Sequence, residues 1–425
     1  MRSPHKLSAA VAAALLVLTA CGGPAPGGGG GGTPSGEIRV LTPIFEKADG
    51  EQLLQKLIKE FTTKYPEVTV NVDHTEYPKL NEKLTASLAG GNPYDVMLMG
   101  VGWVPPFAEK GVLADLGEDP AELAKTYHER VVAPGVWQGK TYALPVMLDT
   151  RIGLYRKDFF AEAGLAGPPR NFAELREYAK KLTVREANGN LTRAGLDILS
   201  YDPRQVYEVF LWANGGDLFA KDGSVAFNSP QGVEALQLMT DVIRTDKAED
   251  LGYSQPSPPT GYPLLQGRAA MMVGHQQLWT EMEQSAPELI EQDKVGVFLI
   301  ENTEPAMFQG GTLATVSARS QHSAAAIAFA KFLATQDVSL QASQQRGNVP
   351  AVKAASETDY VRNNPFVQFA MQNMDAAHSE GGIPAWLEIR DDFKPAIEAA
   401  LLGQQTPKEA LDGLANQAEQ AIDGG

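Results

Sequence analysis

Carboxylates are the side chains in this sequence with the most evident chemical potential, and two pairs stand close together, Glu281 with Glu283 and Asp391 with Asp392. Paired acids flanking a sugar linkage can run glycoside hydrolysis. Such pairs are equally common on solvated helix faces, and nothing beside these two supplies the rest of an active site. There is no H-E-x-x-H pair, no serine-based elbow, and no glycine loop ending in Lys-Ser/Thr. Histidine occurs only 6 times, never at metal-ligand spacing. Cys21 is the single cysteine, which removes disulfides, thiolate metal sites and thiol catalysis together. Beyond these acids the sequence offers no catalytic residue and no motif for a metal or cofactor.

Cys21 has a different chemistry available. Arg2, His5 and Lys6 form a short basic region, and Leu7 to Leu18 is mostly Ala, Val and Leu. That run is shorter than the roughly 20 residues needed to span a bilayer. A basic start, a short apolar run and small residues at its end match a secretory signal. "LTAC" (Leu18–Cys21) followed by Gly22 resembles a bacterial lipobox, which implies cleavage after residue 20 and diacylglycerol on the Cys21 sulfur. Two acyl chains anchor stably where one gives only marginal binding. Residues 22–36 contain only Gly, Pro, Ala, Thr and Ser, so they read as a flexible linker. The expected location is the outer face of a bacterial cytoplasmic membrane.

The remaining chain is long enough for two domains with real cores. Its 52 acidic against 36 basic residues argue against nucleic acid as a partner. From Glu37 strands and helices alternate. "EIRVLTPI" reads as a strand, and Leu53, Leu54, Leu57, Ile58 and Phe61 share one helical face. "PEVTVNVDH" is a second strand, Leu80, Leu84 and Leu88 mark a second helix, and "YDVMLMG" is a third strand. This alternation predicts α/β architecture built from parallel βαβ units. Ligands in such sheets gather at the strands' carboxyl ends, here the loops 42–49 and 100–105. Further on, Asn171 with Glu174, Ser229 with Pro230, and Thr406 with Pro407 and Glu409 mark helix starts. "QPSPPTGYP" (255–263) reads as a proline-rich loop.

Nine segments occur in an order that resembles one known family. They are "FTTKYPEVTVNV", "LNEKLTASLAGGNPYDVMLM", "W…FAEKGVLADL", "GKTYALPVMLDTRIGLYRKDFFAEAGL", "WANGGDLF", "LLQGRAAMMVGH", "FQGGTLATVS", "AAAIAFAKFLAT" and "GQQTPKEAL". Together they are similar to the family 1 extracellular solute-binding proteins, the maltose-binding-protein-like receptors of ATP-binding-cassette importers. The resemblance implies a periplasmic-binding-protein-like (type II) fold, two α/β lobes joined by a hinge with a ligand cleft between them. It places lobe I at 37–144 and 312–348 and lobe II at 145–311 and 349–425, with crossings in "LPVMLDT" and "FQGGT". The implied partners are a small-molecule ligand, a sugar or oligosaccharide, and the importer's membrane subunits, with the protein itself a monomer.

A sugar site needs a few fixed polar groups for hydroxyls and an aromatic plane for the ring face, set in largely apolar walls. The resemblance assigns the carboxylate role to Asp149 and a place at the cleft to Trp386, while Trp103 stands in the loop after the third strand and Arg390, about one helical turn after Trp386, could donate bidentately to hydroxyls or an acid group. Where the family usually carries an aromatic residue this chain has Gln277, so either Gln277 hydrogen-bonds the ligand or Trp279 takes over the stacking. Gly310, Gly311 and Thr312, at the second crossing, would let backbone N–H groups approach a ligand. Phe45 and Glu46, on the first strand's loop, and Tyr201, Asp202 and Gln205, on a lobe II loop, complete the candidates. Trp137 and Trp212 read as packing residues. The chain also departs from the family at Arg156, where Asn is common. An alternative keeps the fold but takes a glycerol-phosphate ester or amino sugar, with Arg204 and Arg390 as the cations available; a surface glycoside hydrolase is the less favoured reading.

Overall fold

The computed structural model describes residues 32–254 and 261–424. The readings that concern Cys21, the signal and most of the linker, together with most of the proline-rich loop, lie outside the described residues.

The first third folds as the hydrophobic pattern requires. Strand β1 (Gly36–Thr42) leads into helix α1 (Lys47–Lys64), which buries Leu54, Leu57 and Phe61. Strand β2 (Val68–His74), helix α2 (Tyr77–Ala89) and strand β3 (Val96–Gly100) follow, and β1 pairs in parallel with both β2 and β3. Beyond β3 the all-parallel expectation fails. Two long strands, Ala143–Arg156 and Pro305–Val316, enter the same sheet antiparallel to each other, and the second runs antiparallel to β3. At its far end the first long strand pairs antiparallel with Met271–His275 and Val295–Phe298. The 148 residues between the two long strands (157–304) hold several helices and strands rather than a single βαβ crossover, so their pairing need not be parallel.

The cores divide along this line. Residues of β1, α1 and β3 pack with the helices Ser323–Leu333 and Gln336–Arg346. At the other end, Pro203–Ala213 and Pro230–Thr240 pack with Phe393–Leu401 and Pro407–Gly424. A further cluster joins Tyr127, Val131 and Val132 to Val349–Ala377 and the middle of the first long strand.

The helix starts follow the sequence signals. Asn171 accepts from Glu174 N at 2.8 Å and Ser229 accepts from Gly232 N at 3.4 Å. Thr406 and Glu409 bond reciprocally, Glu409 N donating to Thr406 Oγ1 and Thr406 N to Glu409 Oε2. Each satisfies amides that a helix leaves open at its first turn. Among the described residues no helix is long and apolar enough to cross a membrane.

One position where the long strands meet is forced to be glycine. Gly311 has φ +144°, and a Cβ there would lie 2.4 Å from Met147 O. The register between the two strands shifts just after it, at Thr312/Leu313. The close approach that the sequence reading assigned to a ligand is here an approach of one strand to the other.

Candidate ligand-binding site

Alternation along the first long strand sets up the site. Leu148 and Ile152 are buried in a core, whereas Asp149 and Arg151 turn to the opposite face, where they are only partly covered. With Met147 on the same face, they line a hollow of about 310 Å³. Gly100, Val101 and Trp103 reach it from the carboxyl end of β3, and Tyr77 from the start of α2. Gly310, Gly311 and Thr312 come from the second long strand, and Gln205, Gln277, Arg346, Asn348, Glu380 and Arg390 from the surrounding segments. Parallel strands thus present the loops after their carboxyl ends to the hollow, as expected of an α/β sheet.

Its polar lining is organised as guanidinium–carboxylate pairs. Arg151 Nη1 donates to Asp149 Oδ1 at 2.8 Å, and Arg151 Nε donates to Gln205 Oε1 at 2.8 Å. The Arg151 guanidinium also lies 5.6 Å from the Tyr201 ring centre and 5.5 Å from that of Phe308. Burial acts to discharge Arg151, but Asp149 more than compensates and holds it protonated. Arg346 donates to Glu46, while its buried Nε lacks a partner. Burial of Glu46 would raise its carboxyl, yet the bond and charge of Arg346 hold it below its ordinary value. Arg390 Nη1 stands 3.5 Å from Glu380 Oε1 and its Nε 3.6 Å from Asp391. Tyr77 and Thr312 share a hydroxyl–hydroxyl bond of 2.5 Å, and burial pushes the Tyr77 phenol up to about 12.

Behind Glu380 lies a buried network. Arg204 donates to Glu380 and, at 2.8 Å, to Glu208, with Asp202 at 3.2 Å. Burial raises the Glu208 carboxyl, whereas the charges of Arg204 and Arg390 overcome burial and lower that of Glu380. Arg204 is therefore consumed by carboxylates, not available to an anionic ligand.

Of the residues predicted from sequence, Trp103, Asp149, Gln205, Gln277, Gly310, Gly311 and Arg390 line the hollow. Glu46 reaches it through Arg346, and Tyr201 through its ring beneath Arg151. The others lie elsewhere, for clear reasons. Phe45 is 1% exposed and packs in the core of α1. Asp202 caps the helix Pro203–Ala213, accepting from Arg204 N at 3.0 Å. Trp279 turns away from the hollow, packing 5.4 Å from Phe366 and donating to Glu283 at 3.0 Å, so of the two alternatives it is Gln277 that faces the hollow. Trp386 is fully buried between Phe219, Phe393 and the backbone of Gly102, where a Cβ would lie 2.5 Å from its Nε1. The ligand contact expected of Trp386 is thus replaced by internal packing.

Sequence reasoning missed Tyr77, Met147, Arg151, Phe308, Arg346, Asn348 and Glu380, whereas Thr312 lines the hollow as expected. Arg151 had a readable signal, since it sits two residues after Asp149 on a strand. Arg346, Asn348 and Glu380 had none, because only the tertiary fold brings them to the hollow.

His275 pairs with Arg151 across adjacent strands and is 6% exposed. Burial first, and then the Arg151 charge, lower its pKa to about 3. The unfolded chain takes up a proton below about pH 6.5 that the folded chain refuses, so stability falls as pH drops below 6.5. Between pH 7 and pH 5 this costs about 2 kcal/mol. Urea denaturation at both pH values should show the wild type losing that much more than His275→Phe; equal losses would contradict a neutral His275.

A mixed sheet threaded by two long strands, with a polar hollow beside their meeting point, defines a periplasmic-binding-protein-like α/β fold. The profile of the bacterial extracellular solute-binding proteins matches residues 46–339. A relative from Brucella abortus (strain 2308), described as a binding protein, is 27% identical over 91% of this chain and 93% of its own. The diacetylchitobiose binding protein DasA of Streptomyces coelicolor is 23% identical over 83% of each chain. Among solved structures, the GacH receptor of Streptomyces glaucescens GLA.O, determined unliganded and with acarbose, superposes with a TM-score of 0.75 at 24% identity, covering 92% of this chain and 99% of its own. The chain belongs to the bacterial extracellular solute-binding protein family.

Proposed function

We propose that this protein is the substrate-binding component of an ATP-binding-cassette importer, taking an uncharged saccharide into the hollow and handing it to the membrane subunits. The observation that carries this reading is the pairing of Arg151, Arg346 and Arg390 with Asp149, Glu46 and Glu380 around one hollow. Each pair fixes donors and an acceptor side by side, the arrangement that adjacent sugar hydroxyls require. Because the charges balance within the pairs, a neutral polyol loses less than an anion, which would compete with carboxylates already in place. This weighs against the glycerol-phosphate alternative. Acarbose is the ligand named for GacH and diacetylchitobiose for DasA, which agrees with a saccharide here.

In this reading the two halves of the sheet are lobes, at about 37–144 with 312–348 and 145–311 with 349–425, and the long strands are the hinge. Ligand favours their closed arrangement. The protein is a monomer held at the outer face of the membrane by diacylglycerol on Cys21, with residues 22–36 as its tether. Fifteen such residues reach about 20 Å. No chemistry is performed on the ligand.

Thermal-shift screening tests this directly. Neutral saccharides should raise the melting temperature and be recovered unchanged, with glycerol phosphates inert. Stabilisation by a phosphate ester alone, or turnover of a saccharide, would overturn the reading.

A further inference from the structure

Resting on that reading, we infer that the ligand is a single sugar ring rather than an oligosaccharide, held by polar groups with little aromatic stacking. Three observations converge on this. First, the hollow measures only about 310 Å³. The volume stands at the bottom of the roughly 300–1,000 Å³ found for ligand pockets.

Second, the planes on which successive rings of an oligosaccharide would lie are missing. Gln277 presents an amide to the hollow rather than a ring, Trp279 faces away, and Trp386 is 0% exposed. Among the aromatic residues that do line the hollow, Phe308 is 1% and Trp103 6% exposed, with Trp103 stacked on Phe107. Tyr77 alone presents a partly exposed ring.

Third, one end of the hollow is closed by backbone. Gly381 approaches Gly102 so closely that a Cβ on it would lie 2.7 Å from Gly102 Cα, with Trp386 packed behind. A larger space of about 850 Å³, lined by Trp137, Phe219 and Ile383 among others, shares no lining residue with the hollow. The Gly102–Gly381 contact stands between Val101 and Glu380, which line the hollow, and Gly381, which lines the larger space.

Calorimetric titration of the purified protein decides the matter. Glucose, galactose, mannose, xylose, fructose and N-acetylglucosamine are compared with maltose, maltotriose, cellobiose, lactose and diacetylchitobiose. At least one monosaccharide should bind with a Kd tenfold or more below that of every disaccharide or trisaccharide containing it. An oligosaccharide that binds more tightly than its constituent monosaccharides would overturn this inference and leave the saccharide reading standing. Absence of binding by every sugar, together with a thermal shift from a phosphate ester, would overturn both.

Discussion

Asp149→Ala should weaken saccharide binding about 100-fold or more while the protein stays folded. Asp149 is the one acid on the first long strand that faces the hollow, and a charged acceptor contributes about 1.5–3 kcal/mol per hydrogen bond. Two such bonds to adjacent hydroxyls give about 3 kcal/mol or more, and every 1.4 kcal/mol is tenfold in affinity. The side chain does a second job, since it neutralises the largely buried Arg151. Losing that partner costs stability, but Arg151 keeps Gln205 Oε1, Thr150 O at 3.1 Å and the faces of Tyr201 and Phe308. Asp149→Asn keeps the shape and removes only the charge, so its loss of affinity should be smaller. Titration alongside circular dichroism separates binding from unfolding. Unchanged affinity in Asp149→Ala would remove the residue from the site.

Gly311→Ala should have the largest effect on stability among substitutions at the hollow. At φ +144° an alanine is strained whatever its surroundings, a cost of about 1–3 kcal/mol. Its Cβ would also stand 2.4 Å from Met147 O and 3.0 Å from Leu148 Cα. Those atoms are backbone of the other long strand, so the clash is relieved only by moving the strands apart where they carry Asp149 and Thr312 into the hollow. A combined loss of more than about 3 kcal/mol follows, with a lowered urea midpoint. Gly310→Ala is the comparison, because Gly310 has no left-handed φ and its Cβ would meet no backbone atom closer than Asp149 O at 3.6 Å, although it would crowd the Phe308 ring. Equal midpoints for the wild type and Gly311→Ala would refute the close approach.

The local parts of this architecture are written in the sequence. Spacing of Leu54, Leu57 and Phe61 determines α1, and Thr406, Pro407 and Glu409 start the last helix where their chemistry says they should. What was not legible is the direction of strand pairing beyond β3, because a short apolar run reads alike in parallel and antiparallel sheets. The candidate site divides in the same way. Asp149, Gln205, Gln277 and Arg390 were found because they lie beside recognisable segments. Arg346 and Glu380 were not, since their roles depend on partners 300 residues away for Arg346 and 176 away for the Arg204–Glu380 contact. Trp279 and Trp386 show the opposite failure. A tryptophan near a ligand segment carries no sign of whether its face turns to the ligand or to Phe366, Phe219 and Gly102.

The most direct test is a crystal structure with whichever neutral saccharide stabilises the protein most. Electron density for the sugar should lie between Asp149, Arg346 and Arg390, with its hydroxyls on the guanidinium–carboxylate pairs. Density in another hollow, such as the one beside Trp137, would contradict the account.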